Sequence, residues 1–354
     1  MRVVFVSVET VHHRETETTA RLQTVVELLR DAGHDVHVCC ARWWEDGRDA
    51  LERDGVSYHG VTVEPEAGRS FLVRLPFVVR ALGPDVVHVA AEPPAQVRAA
   101  GLATRLSRAP LVVEWYGAEG VDGRWATRRA AARADRILAP SRLVRTWVRE
   151  LGVDGDRVGV VPNPIDVDAI RGTEPTGDAD VVYARRLDEG ANLESLLLAL
   201  AEVRTRDWTA TVIGDGPRRG EYEALASDLR IADRIDFVGA ASREEKIAIY
   251  RGGHVFAQTA EFCVFPTELA WALAAGCVGV VEYHADSSGH ELIEGRERGF
   301  RTTSETELAE AIARAGRMDR RDLDETFADF DRGAVRERYL ETYRELRESS
   351  GLFS

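Results

Sequence analysis

Short apolar runs recur along the whole of this chain, and nearly all are separated by amphipathic stretches of helical length. That spacing restricts the fold more than any other feature. Strands so far apart cannot pair as hairpins. They need crossover connections, which lay consecutive strands parallel and put helices on the faces of the sheet. In the first half the strand-like runs are RVVFVSV (2–8), DVHVCCA (35–41), 56–61, DVVHVA (85–90), PLVVEWY (110–116), RILAPS (136–141) and VGVVPNP (158–164). Helical stretches lie between them at 18–32, 71–82, 97–106 and 143–151, with an arginine-rich helix after 116. Leu22, Val25, Val26, Leu28 and Leu29 mark the buried side of the first helix, and Gly33 ends it.

The segment 165–179 interrupts this rhythm with Gly172, Pro175, Thr176 and Gly177, and reads as a linker between domains. The alternation then resumes: VVYAR (181–185), a helix at 192–204, TATVIG (209–214), a helix at 218–229, IDFVG (235–239) and a helix at 242–251. A strand at 254–257, a helix begun by Glu268 and a strand at 278–282 follow, and helices at 305–314 and 334–348 close the chain. The expected fold class is α/β: two Rossmann-like, doubly wound parallel-sheet domains facing a cleft. They take residues 1–164 and 165–330, and a C-terminal helical segment takes 331–354.

Composition narrows the function. No apolar run approaches the ~18 residues of a membrane span, and the chain opens on a strand, not a signal peptide. A cytoplasmic location is expected. The formal charge is −14 and Lys246 is the only lysine, which argues against nucleic acid as a partner. The acidic, lysine-poor balance suits a high-salt, halophilic cytoplasm; a GC-rich genome explains the arginines but not the acidic excess. Cys39, Cys40, Cys263 and Cys277 lack metal-ligand spacing and read as small core residues.

In open α/β sheets ligands bind beyond the carboxyl ends of the strands. The stretch HVFAQTAEFCVFPTELAWALAAGCVGVVEYHADSSGHELIE (254–294) puts Glu261 on such a loop and Glu268 in the first turn of the next helix, with Gly276 as its stop. A helix N-terminus favours an anion and stabilises a carboxylate. Taken alone, the two glutamates read as a solvated loop charge and a helix-start charge. Three further stretches change that reading. ADRILAPSRLVRTWVRELGVDGDRVGVVPNPIDVDAI (134–170), ARRLDEGANLESLLLAL (184–200) and VIGDGPRRGEYEALASDLRIADRIDFVGAASREEKIAIY (212–250), together with 254–294, resemble the family-4 glycosyltransferases in order and spacing. The resemblance is strong over 134–300 and loose over 1–133.

The resemblance implies a GT-B fold, with the acceptor on the first domain, a nucleoside-diphosphate sugar on the second, and the helix around 339–346 crossing back onto the first. It implies transfer of the sugar with retention to a lipid or glycan acceptor. No cofactor and no essential metal are expected, and the leaving diphosphate is stabilised by basic side chains and a helix N-terminus. By matching position, Arg186 reaches the diphosphate. Arg185 stands where the family has a small residue, and is either a second donor-site cation or a strand-end surface arginine. Gly214, Asp215, Gly216 and Pro217 line the donor site, or form only a tight turn. Glu261 contacts the sugar and Glu268 the ribose hydroxyls. The two are seven apart where the family has eight, and alignment on Gly276 would put Trp271 in the second position. A one-residue loop deletion before Cys263 retains Glu268.

Other positions depart from the family. Ala191 replaces its lysine, and Tyr116–Gly117 replaces a histidine–glycine step. The loop VETVHHRETETT (8–19) replaces a glycine-rich one, leaving His12, His13 and Arg14 as phosphate or acceptor contacts, or as solvated loop. Glu114, Tyr116 and Glu119 are acceptor-side candidates; His88 reads as a core histidine and His290 as a helix-start residue. RSFLVRLPFVVR (69–80) and GRWATRRAAAR (123–133) are basic and amphipathic, fit either to cover a sheet or to make peripheral contact with the inner face of a membrane. Ala191 and Tyr116 favour a non-catalytic sugar-nucleotide or glycan-binding relative, and a GT-B sugar-nucleotide epimerase also fits the two-domain plan.

Overall fold

The computed structural model describes residues 1–45, 47–65, 68–117 and 125–351, less the side chains of the last two. It divides into two compact units, Met1–Asn163 with Gly333–Ser354, and Pro164–Arg332.

The first unit is built from β1 (Arg2–Val6), α1 (Glu17–Asp31), β2 (Asp35–Ala41), β3 (Ala50–Arg53), β4 (Val56–Thr62), α2 (Gly68–Leu82), β5 (Val86–Ala90), α3 (Pro94–Ser107), β6 (Leu111–Glu114), α4 (Trp125–Ala131), β7 (Arg136–Ala139), α5 (Arg142–Glu150) and β8 (Val158–Val160). The strands form one sheet in the order β3-β4-β2-β1-β5-β6-β7-β8. Side chains alternate along each strand, so β1 sends Val3 and Phe5 to one face. There they meet Leu22, Val25, Val26 and Leu29 of α1, and Val335, Tyr339 and Tyr343 of the C-terminal helix Arg332–Gly351. Burying each such side chain contributes about 1.5–3 kcal/mol. α2 and α3 pack side by side, and α3 against α4.

The strand β3 does not show in the periodicity of the sequence. It pairs antiparallel with β4 across Asp54–Gly55, whose φ values are 50° and 74°. An Asp-Gly step with two positive φ angles is the preferred two-residue hairpin turn. The signal was present, but the exposed segment ALER lacks apolar alternation.

The second unit comprises α6 (Val167–Gly172), β9 (Val181–Ala184), α7 (Leu193–Glu202), β10 (Ala210–Ile213), α8 (Arg219–Asp228), β11 (Ile235–Gly239), α9 (Arg243–Gly252), β12 (Val255–Gln258), α10 (Thr267–Ala274), β13 (Val278–Glu282), β14 (Gly299–Thr302) and α11 (Glu305–Ala315). Its sheet order is β11-β10-β9-β12-β13-β14, and every ladder is parallel. Val181 and Tyr183 face a core shared with α7 and α11, whereas Val182 and Ala184 face one shared with α9 and α10. The reading of 165–179 as a linker is corrected: it contains α6, and Ile165 and Ile170 are fully buried in the second core. Two apolar anchors outweigh the breaker residues around them.

Candidate active site

The second sheet changes direction between β9 and β12. The chain winds from β9 to β10 to β11 on one side and then returns to β12 on the other. The loops leaving the carboxyl ends of β9 and β12 therefore flank a crevice at the switch point.

The loop after β9 is Arg185–Arg186–Leu187–Asp188, and it is held by the turn after β10. Arg185 N donates to Ile213 O at 3.0 Å, Leu187 N to Asp215 O at 3.0 Å, and Arg218 N to Leu187 O at 3.0 Å. Gly214 has φ +135°, and a Cβ there would lie 1.9 Å from Arg185 O; one at Gly216 would lie 2.3 Å from Leu187 O. These glycines let one backbone rest directly on another. The tight-turn reading of Gly214–Pro217 is sufficient to account for them, and the turn fixes where the basic loop stands.

Arg185 and Arg186 are positioned differently. Arg185 Nη2 donates to Phe262 O at 3.1 Å, tying the β9 loop to the β12 loop. Its Nε is buried and has no hydrogen-bond partner. The Arg186 side chain is 73% exposed, and its one ion-pair partner among the described residues is Asp188, at 3.9 Å. Glu261 is exposed. The loops thus present the open cation Arg186 and the open carboxylates Glu189 and Glu261, with Arg185 bracing the two loops.

A second brace has no signature in the sequence. Asn192 Nδ2 donates to Thr259 O at 2.9 Å and to Glu282 Oε2 at 3.3 Å, and the Thr259 hydroxyl donates to Asn192 O at 2.6 Å. Thr259 and Glu282 are buried. The loops after β9, β12 and β13 are cross-linked by these three residues. Asn192 before a helix is a legible capping signal, but it makes no cap bond here, so its partners follow only from strand order.

Glu268 is not an open carboxylate. It accepts from Arg243 Nη1 at 2.9 Å, Lys246 Nζ at 2.9 Å and Tyr250 OH at 2.6 Å, all on α9. Burial alone would raise its carboxyl; the charges of Arg243 and Lys246 and the Tyr250 hydroxyl outweigh burial and hold it below the usual range. The Arg243 guanidinium also lies 4.8 Å from the Trp271 ring centroid. Both alignment candidates for the ribose contact therefore meet the same arginine. Ala191 is fully buried, and its carbonyl accepts from Tyr183 OH at 2.6 Å.

In the first unit Glu114 is spent on structure. It sits at the end of β6, 2% exposed, and binds Arg21 Nε at 2.7 Å, His88 Nε2 at 3.0 Å and Tyr339 OH at 3.2 Å. Burial pushes its carboxyl up, but the Arg21 charge and the His88 hydrogen bond prevail and depress it. The other nitrogen of His88 meets Tyr343 OH at 2.5 Å. A neutral ring with its proton on Nε2 satisfies both contacts. His88 is a core histidine, and Glu114 leaves the acceptor candidates because no solvent reaches it. Tyr116 is buried, with the Arg21 guanidinium 5.7 Å from its ring centroid. The His12 ring lies tilted against Trp43, with ring centroids 4.1 Å apart; burial and Arg53 lower its pKa. The His13 ring accepts from Thr10 N at 3.1 Å, and Arg14 pairs with Glu9 at 3.2 Å. Glu119 lies outside the described residues.

All four cysteines are buried and outside any disulfide, and burial pushes the Cys39 and Cys277 thiols up to about 12. Among the described residues no group of three or more His, Cys, Asp or Glu is arranged to hold a metal ion. No described helix is long and apolar enough to cross a membrane.

Two Rossmann-like units, the second with a basic loop and glycine turn at its switch point, define the GT-B class of glycosyltransferase folds. Residues 19–169 match the family model described as Glycosyltransferase Family 4, and residues 166–328 match Glycosyl transferases group 1. The chain is a family-4-like, group-1 member of the GT-B glycosyltransferases. Over 141 residues it is 28% identical to the 2-deoxystreptamine glucosyltransferase of Streptomyces kanamyceticus, covering 36% of each chain. Over 191 residues it is 29% identical to the GDP-mannose-dependent alpha-(1-6)-phosphatidylinositol monomannoside mannosyltransferase of Mycolicibacterium smegmatis, covering 50% of this chain and 48% of the relative. The chain thus spans about a third to a half of the length of the curated relatives it matches. Anabaena HepE, solved in complex with UDP, superimposes with a TM-score of 0.74 at 17% identity, over 98% of this chain and all of that one. The same protein has been solved with UDP-glucose.

Proposed function

We propose that this chain is a retaining glycosyltransferase that moves a hexosyl group from a nucleoside-diphosphate sugar to a glycan or lipid-linked acceptor. One observation carries the proposal: Arg186 and Glu261 stand open on loops that leave β9 and β12 at the switch point, held by the glycine turn and by Arg185. During transfer the bond from the anomeric carbon to the diphosphate oxygen breaks, and negative charge grows on the leaving diphosphate. Arg186 is placed to donate to that charge, where a fixed cation lowers the barrier most. Glu261 accepts from sugar hydroxyls. The acceptor hydroxyl oxygen bonds to the anomeric carbon on the face the diphosphate leaves, and its proton passes to the departing diphosphate oxygen. Cations of the chain do the work a metal would do, so neither metal nor cofactor enters the proposal. The GDP-mannose dependence named for the mannosyltransferase relative, and the UDP-glucose bound in the HepE structure, support a nucleoside-diphosphate donor. A cytoplasmic enzyme acting on acceptors made there completes the reading.

The test is a panel of sugar nucleotides scored for nucleoside-diphosphate release, with and without a chelator, followed by the anomeric configuration of the product. Release that persists in chelator and a retained anomer support the proposal. Dependence on added Mn²⁺ or an inverted anomer overturns it, and a product that is an isomerised sugar nucleotide assigns an epimerase. A second reading, a non-catalytic nucleotide-sugar binder, is favoured by Ala191: buried in the core shared with α7 and α11, it presents no side-chain cation. Donor binding without consumption of any donor or transfer to any acceptor selects that reading.

A further inference from the structure

The second unit has a cavity away from its switch point. It measures about 230 Å³ and lies at the outer edge of the sheet. On one side is the loop that follows the short 3₁₀ turn Gly289–Leu292, and on the other is β14, the last strand in the sheet order. β13 stands between this edge strand and β12. Three basic side chains, His290, Arg296 and Arg301, line the cavity, with Ile293 and Gly299 as part of its wall. Each basic group is held by an aromatic ring. The Arg296 guanidinium lies 3.9 Å from the Phe327 ring centroid, and its Nη1 donates to Thr326 Oγ1 at 2.5 Å. The Arg301 guanidinium lies 5.4 Å from the Tyr283 ring centroid, and His290 meets the same ring edge to face at 5.1 Å. A carbonyl only accepts, so His290 Nδ1 donates to Ser287 O at 3.1 Å and Nε2 is left for another partner.

Charge and size select the ligand. The chain has 60 acidic residues against 46 basic ones, and Arg2, Arg218, Arg219 and Arg243 each hold a carboxylate. Among the described residues His290, Arg296 and Arg301 form no such pair. A ring face attracts a cation without neutralising it, so both guanidinium groups are fixed in place and keep their charge for a ligand. Drug-sized ligands occupy about 300–1,000 Å³; this cavity is smaller, and suits one compact group better than a nucleotide sugar. A carboxylate is saturated by a single arginine fork. Two guanidinium groups and an imidazole match the several oxygens and the nearly double negative charge of a phosphate. Glu294 is the one carboxylate among the lining residues, and it is exposed, where solvent and salt screen its charge.

We propose that this cavity binds phosphate, free or carried by a small phosphomonoester, as a site separate from the switch-point crevice. The proposal goes beyond sugar transfer and is tested without it. The full chain is titrated calorimetrically with inorganic phosphate, with glucose 6-phosphate and, at matched ionic strength, with acetate. Saturable binding is expected for phosphate and not for acetate. Tighter binding of glucose 6-phosphate than of inorganic phosphate assigns an organic phosphomonoester, and the reverse assigns the free ion. Loss of a charged hydrogen bond in Arg301→Gln should weaken binding about tenfold to a hundredfold. Arg301 is exposed, and circular dichroism checks that its variant folds. Arg296→Gln should weaken binding as well, but it also frees Thr326 and Phe327, so Arg301→Gln decides. The same loss should appear when Arg301→Gln is made in an Arg186→Ala background, because the two arginines serve different sites. The proposal is overturned if neither phosphate ligand binds saturably, or if acetate binds as tightly. It is also overturned if Arg301→Gln binds phosphate as tightly as the wild type; if Arg186→Ala then abolishes that binding, the phosphate sits in the switch-point crevice.

Discussion

Glu114→Ala should cost the first unit a large part of its stability. The carboxylate is 2% exposed and neutralises Arg21, which is itself 2% exposed. Without it, the guanidinium retains only neutral partners: the Val161 carbonyl at 2.7 Å, the Tyr339 hydroxyl at 3.0 Å and the Asn163 side chain. Removing one member of a buried pair costs about 3–5 kcal/mol because the other charge is left uncompensated. The whole stability of a domain is about 5–15 kcal/mol. The loss reaches the C-terminal helix as well, since Tyr339 donates to Glu114 and His88 bridges Glu114 to Tyr343. The assay is urea unfolding followed by tryptophan fluorescence and circular dichroism, with two transitions allowed for two units. Arg21→Met combined with Glu114→Leu removes both charges and should recover most of the loss, which a double-mutant cycle measures. The Glu114 pKa is depressed in the fold, so its contribution is complete above the unfolded value of about 4.5 and lost as pH falls through the folded value. The gap between wild type and Glu114→Ala should therefore close in acid. A loss below about 1 kcal/mol at neutral pH, or a double variant no better than the single, would refute the reasoning.

Arg186→Ala should leave the melting temperature unchanged, because the side chain is 73% exposed, and should lower kcat more than it raises KM; Arg185→Ala should affect both, since it also releases Phe262. Gly214→Ala should weaken nucleotide binding and destabilise the second unit by about 1–3 kcal/mol, because its Cβ would strike Arg185 O. Gly220→Ala, which meets open space, is the control, read by calorimetry and UDP titration. Glu268→Ala should cost about 1.5–3 kcal/mol through lost charged hydrogen bonds. Its effect should fade as pH falls below about 4.5, because its carboxyl is also depressed; an unchanged pH profile of unfolding would remove it from the ion-pair cluster.

The parts of this protein legible in its sequence are those governed by local periodicity. Alternation of apolar and polar residues along RVVFV or VVYA, and the 3.6-residue rhythm of α1, follow from backbone geometry that any short window contains. They determine the parallel sheets, the two-unit plan and the loops at strand ends where Arg186, Gly214 and Glu261 sit. β3 and β14 were lost because short strands at sheet edges need little apolar alternation. The order and spacing of four stretches carried the family resemblance.

The tertiary structure decided which polar groups are free. Arg21 and Glu114 lie 93 residues apart and meet because α1 packs over a sheet in which β1, β5 and β6 are neighbours. Tyr339 and Tyr343 repeat at four-residue spacing, which shows a buried helix face but not the core it fills; His88 and Glu114 settle that. Glu268 looked as open in the sequence as Glu261, yet α9 supplies it with three donors while Glu261 remains in solvent. The physical reason is the same in each case. A strand or helix is specified by neighbours within a few residues, whereas the solvation and charge partner of a side chain are set by whatever the packed elements bring within about 3 Å of it.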